Sequence, residues 1–156
     1  LLSTTLDYDG WNVPAITRMS RVGLAVLVAA GLGGVLSFRE RFPYGIKCDR
    51  IRSKILREST DGLLTGAIDA FPYASLHEAH GLFRHVRKIL PEITCPTLVL
   101  HARNDDVSSL RNAEMIKDAV RGPCTMRVLE DSYHMIHLDR ERQRVAALTG
   151  EFLLAS

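Results

Sequence analysis

Apolar and polar residues are patterned most clearly in the second half of the chain. Thr97-Leu98-Val99-Leu100-His101-Ala102 is an almost continuous apolar run of strand length, with Pro96 at its entrance. That pattern predicts a strand buried on both faces of a parallel sheet. Leu110, Ala113, Ile116 and Val120 then recur at spacings of three and four, predicting a helix capped by Ser108 or Ser109 and stopped by Gly122-Pro123. Cys124 to Leu129 reads as a second short strand, Glu130 to Leu138 as a loop, and Asp139 as the cap of a last helix carrying Val145, Leu148 and Phe152 on one side. Strand, helix, strand, helix is an α/β order with a parallel sheet. Before it, Ser75-x-x-Glu78 fits a capping box, and Leu76, Ala79, Phe83, Val86 and Leu90 continue a helix that Pro91 ends.

The first half is less regular. Leu1 to Leu6 resembles the end of a buried strand, with Asp7-Tyr8-Asp9-Gly10 as its turn. An opening Leu with no charged leader predicts a C-terminal piece of a longer protein rather than a secretory signal. From Val22 to Phe38 run seventeen residues without a charge. That is the lower bound for a membrane span, and the four glycines within it disfavour a helix. The reading preferred is a buried or cleft-covering cap helix, with membrane contact through 22–38 as the rival. Arg39 to Arg57 is basic, turns at Pro43-Tyr44-Gly45, and places Ile51 and Ile55 on one face of a short helix. Arg50, Arg52, Lys54 and Arg57 would then form its solvated face, and Ser59 to Pro72 a loop or short helix.

Composition narrows the classes. Hydrophobic residues at 46% and charged residues at 24% are ordinary for a globular domain, and 156 residues suit one domain. A net charge of +2 lacks the cation surplus that phosphate binding requires, so a nucleic-acid partner is not expected. Cys48, Cys95 and Cys124 are odd in number and form no C-x-x-C pair, which predicts free thiols in a reducing, cytoplasmic setting. His77, His80 and His85 lack a third ligand at metal spacing and read as exposed helix histidines; no cofactor is implied.

In a parallel sheet, chemistry sits beyond the carboxyl ends of the strands. Two loops qualify: Arg103-Asn104-Asp105-Asp106-Val107 and Asp131-Ser132-Tyr133-His134-Met135-Ile136-His137. Neighbouring strands lie about 4.8 Å apart, so an acid of the first loop can reach a histidine of the second. A carboxylate on one imidazole nitrogen fixes the tautomer and leaves the other to take a proton from a nucleophile. The same residues could also be only a helix cap and a loop lining.

Residues 93–155 resemble the last third of an α/β-hydrolase, nearest the carboxylesterase, monoacylglycerol-lipase and serine-aminopeptidase-like group. Thr97 to Asp105 is similar to that superfamily's strand and G-x-x-D turn, with Ala102 in the glycine's place, and Asp131-Ser132-Tyr133-His134 is similar to its S-x-H turn. The resemblance implies Asp105 as the catalytic acid and His134 as the base, with Asp106 and His137 as rivals one and three residues on. Glu130 and Asp131 would face solvent or cap. It also implies a C-terminal part of the hydrolase sheet with a helical cap insertion: 1–10 in the core, 11–90 the cap and connecting helix, and 91–156 the core carrying acid and histidine. The order nucleophile, acid, histidine puts the serine upstream, and no Gly-x-Ser-x-Gly occurs here; Gly62-Leu63-Leu64-Thr65-Gly66 has Leu64 in the serine's place. The function implied is part of a serine hydrolase of carboxylic esters, inactive without its missing N-terminal half. A cap rich in apolar residues favours medium or long acyl esters over peptides. The alternatives are a non-catalytic module of the same fold and a membrane-associated fragment.

Overall fold

A computed structural model describes residues 1–14, 21–39, 41–60 and 70–155. In chain order the elements are α1 (Arg21–Ala29), β1 (Ser37–Phe38), α2 (Asp49–Thr60), β2 (Phe71–Pro72), α3 (Tyr73–Ile89), β3 (Thr97–Ala102), α4 (Arg111–Ala119), β4 (Cys124–Leu129) and α5 (Arg142–Ala155). A 3-10 turn, Leu90–Glu92, follows α3 where Pro91 enters.

All six residues of β3 are buried, as the unbroken apolar run predicts. β3 pairs in parallel with β4, Thr97 opposite Cys124 and Ala102 opposite Leu129. On its other side Leu2 bridges Leu100 in parallel, and Ser3 N–H donates to the Leu100 carbonyl at 2.9 Å. Side chains alternate across a strand, so β3 feeds two cores. Val99 joins Leu6, Leu90, Ala113, Ile116 and Val120 against α4. Leu98, Leu100 and Ala102 join Leu129, Ile136 and Val145 beneath α5. The expected α/β order with a parallel sheet is thus present.

Local capping differs from the sequence expectation. The third helix begins at Tyr73, not Ser75, and no side chain caps it. Its first amides instead donate to the carbonyls of Leu36 and Gly33, from Tyr73 and Ala74 respectively. Pairing of β1 with β2, Phe38 opposite Phe71, brings those carbonyls into place, and the two rings stack at 5.5 Å. Neither Ser108 nor Ser109 caps α4 by its side chain, and that helix ends at Ala119 with Val120 as its C-cap, ahead of Gly122-Pro123. Asp9 reaches across from the first turn, accepting from Ser109 N–H, Ser109 Oγ–H and Asn112 Nδ2–H at 2.6–2.8 Å. Asp139 does not cap α5 with its carboxylate either; toward that helix its carbonyl accepts, from the Arg142 backbone N–H and guanidinium.

The apolar run 22–38 is not one helix. α1 stops at Ala29, Gly31 turns the chain with a φ of +76°, and β1 follows. Leu24 is buried against the molecule, while Val22 and Val26 are exposed. Among the described residues no helix is long and apolar enough to cross a membrane. Arg52 does not belong to a solvated face: it is buried, donates to the Ile46 carbonyl, pairs with Asp49 and lies 4.2 Å over the Phe42 ring. The stretch 61–69, which includes the Gly62–Gly66 look-alike, lies outside the described residues.

Candidate active site

The turn after β3 and the loop after β4 meet at one rim of the sheet. Asp105 is 2% exposed. Its Oδ1 accepts the amides of Val107 and Ser108, both at 2.8 Å, which closes the turn on the side chain's own backbone. The same carboxylate meets His134 Nδ1, 2.9 Å from Oδ2 and 3.1 Å from Oδ1. A carboxylate can only accept, so Nδ1 carries the proton and Nε2 is the nitrogen left to act as a base. The His134 side chain is 26% exposed and lines a cleft of about 670 Å³. Around it stand Tyr8, Val13, Phe38, Phe71, Leu76 and Met135, an apolar and aromatic lining, with Arg39 and Arg41 among the polar members.

The rival residues are placed elsewhere. Asp106, 1% exposed, turns away from the imidazole and accepts two backbone amides, Gly45 at 2.9 Å and His134 at 3.3 Å. Burial pushes its carboxyl above the ordinary aspartate range, although those amides oppose the shift. His137 is exposed. Glu130 pairs with Arg103 at 2.6 Å, and Asp131 with Lys47 at 2.6 Å and Arg140 at 3.2 Å, all near the surface. These partners hold both carboxyls below the ordinary range. His85 is exposed as expected, but His80 is half-buried, edge-on to Tyr8 and Phe83, and lines the cleft. Cys48, Cys95 and Cys124 are free thiols.

Several contributors have no sequence pattern to announce them. His101, fully buried on β3, brings Nε2 within 3.4 Å of Asp105 Oδ2 and donates to the Ser108 carbonyl at 2.9 Å. The only sequence signal was an imidazole inside an otherwise apolar strand. Asp139, also fully buried, accepts the amides of Lys47, Cys48 and Tyr133, each at 2.8 Å. Gly10 packs so tightly on the acid turn that a Cβ there would lie 2.4 Å from the Asp106 carbonyl, so only glycine fits. Its N–H donates to the Val107 carbonyl at 3.0 Å, and Asn12 N–H to that of Asp106 at 3.1 Å.

A parallel sheet with helices on both faces and an acid–imidazole pair at its carboxyl rim defines an α/β-hydrolase fold, present here in part. The family model for serine aminopeptidase, S33, matches residues 54–141, more than half of the chain. The chain belongs to this family. Among solved structures it is similar to a monoacylglycerol lipase from Paleococcus ferrophilus, with a TM-score of 0.73 and 16% identity over 99% of this chain and 58% of that one. A soluble variant of monoglyceride lipase from Saccharomyces cerevisiae gives a TM-score of 0.63 at 9% identity, over 92% of this chain and 52% of that one. A thermophilic esterase from Thermogutta terrifontis gives 0.54 at 20% identity, over 99% and 54%. The chain therefore spans little more than half the length of each of these three proteins. No curated protein matches it in sequence.

Proposed function

We propose that this chain supplies the acid and the base of a serine hydrolase that cleaves carboxylic esters, Asp105 as acid and His134 as base, with the nucleophilic serine on preceding sequence. The observation that carries this reading is the 2.9 Å contact between a buried carboxylate and an imidazole that borders an apolar cleft. His134 Nε2 takes the serine proton as that oxygen attacks the ester carbonyl. Asp105 keeps the ring oriented and offsets the imidazolium charge. The imidazolium then protonates the departing alkoxide, leaving an acyl-enzyme. Water, deprotonated by the same nitrogen, releases the acid and regenerates the serine. Oxyanion donors would also come from upstream, so residues 1–156 alone should be inert.

The lipase and esterase relatives and the aromatic lining favour an acyl ester of medium or long chain. In the full-length protein, a fluorophosphonate should label the serine, and His134→Ala should abolish labelling and lower kcat/KM for nitrophenyl esters by about 10³–10⁶-fold. Labelling and turnover that survive this change would refute the assignment. A series of acyl lengths should show rising kcat/KM from acetate to octanoate, and a flat series would remove the acyl-chain reading.

A further inference from the structure

We propose that Asp139, together with Asp106, is a positioning residue for His134: the two buried carboxylates clamp the histidine loop onto residues 45–48 through backbone amides. The inference rests on the assignment of His134 as the base. Three consecutive amides of the histidine loop have acceptors fixed by this arrangement. Tyr133 N–H donates to Asp139 Oδ2 at 2.8 Å, His134 N–H to Asp106 Oδ1 at 3.3 Å, and Met135 N–H to the Gly45 carbonyl at 2.8 Å. Both carboxylates also hold the facing segment. Asp106 Oδ2 takes Gly45 N–H at 2.9 Å, Asp139 Oδ2 takes Lys47 N–H and Oδ1 takes Cys48 N–H, each at 2.8 Å.

The two segments are in contact as well as tied. Gly45 has a φ of +72°, and a Cβ there would lie 3.3 Å from His134 Cβ and 3.0 Å from Met135 Cγ. Asp139 and Asp106 are 0% and 1% exposed. A carboxylate taken that far from water is costly unless its oxygens are well bonded. Spreading five amide donations over four oxygens meets that need and ties together chain segments about 90 residues apart. Asp105 holds the ring through Nδ1, and a contact to one ring nitrogen does not by itself fix the tilt of the backbone beneath it. The amide clamp removes that freedom. A misplacement of about 1 Å at a reacting group can cost about 100-fold in rate, so the clamp bears on turnover and not only on folding.

The test uses full-length protein with Asp139→Asn, Asp106→Asn and, as a control matched in melting temperature, Ile116→Ala in the core against α4. Asparagine keeps the shape but puts a donor where an amide donates. The expected result for Asp139→Asn is a kcat lower by about 10–100-fold on a neutral nitrophenyl ester. KM should stay within about twofold, and the His134 Nδ1 proton resonance should shift or broaden. Asp106→Asn should act in the same direction, while Ile116→Ala leaves kcat and the resonance in place. Should both asparagine variants keep wild-type kcat and an unchanged resonance while melting earlier, the clamp is structural only and the proposal is overturned. Absence of esterase activity and of fluorophosphonate labelling in the unmutated protein would instead overturn the base assignment, and the resonance would still decide the clamp.

Discussion

Asp105 faces two imidazoles whose situations differ. His134 reaches it from the cleft side with Nδ1 at 2.9 Å, while His101 lies beneath it with no exposure at all. A carbonyl can only accept, so the 2.9 Å contact to Ser108 makes His101 Nε2 the protonated nitrogen. Its Nδ1 is buried and finds no hydrogen-bond partner among the described residues. His101 is thus a buried strut under the acid turn. His101→Ala should lower unfolding free energy by about 2–4 kcal/mol, adding a cavity to an orphaned Ser108 carbonyl, as urea denaturation would measure. At this scale the sequence made Asp105 and His134 legible, because each sits in a loop that follows a strand of one parallel pair. Asp106 and Asp139 were not legible in the same way. The sequence singles them out for other roles, Asp106 as a rival acid and Asp139 as a helix cap, because acceptors that serve backbone amides, which every residue has, leave no mark of that service in the side-chain pattern.

Helix ends show where short-range signals give way to packing. Ser75 and Glu78 have the spacing of a capping box, yet α3 starts two residues earlier because Phe71-Pro72 has already paired with Ser37-Phe38. Ser75→Ala should therefore change stability by less than about 0.5 kcal/mol. Asp9, which no local motif singles out, should matter more: Asp9→Asn loses a charged acceptor ahead of α4 and should cost about 1 kcal/mol. Burial opposes ionisation of Asp9, but the bonds from Ser109 and Asn112, with Arg111 nearby, outweigh it and hold the carboxyl below the ordinary aspartate range. A carboxyl whose folded value is depressed stabilises fully above the unfolded value, near pH 4, and loses that contribution as pH falls through the folded value. The stability gap between wild type and Asp9→Asn should accordingly be constant at neutral pH and close as acid protonates Asp9; a gap that persists with Asp9 protonated would contradict the assignment. Within the run 22–38 the helix ends early for a related reason: Gly31 takes a left-handed turn that hydropathy alone does not reveal.

Across the whole molecule, β3 is the centre of a narrow sheet, with β4 on one side and Leu1–Ser3 on the other. The strand, helix, strand, helix order was readable because β3 is buried on both faces and α4 shows its apolar stripe plainly. The packing of residues 41–48 on the histidine loop was not, since it rests on contacts between residues far apart in sequence. Leu1 and Leu2 remain 49% and 44% exposed along a sheet edge that nothing covers among the described residues. Open apolar edges recruit further strands, so residues 1–156 alone should associate at micromolar concentration, and a single monomer boundary in sedimentation velocity would argue otherwise. The three amides gathered by Asp139 have one more consequence. Lys47 and Cys48 donate to the two oxygens of one carboxylate on the far loop, so swinging residues 47–48 away breaks both bonds at once. Exchanged into heavy water, these two amides should trade their hydrogens for deuterium in step, as one opening unit, while Tyr133, bonded to Asp139 within its own loop, keeps its own rate.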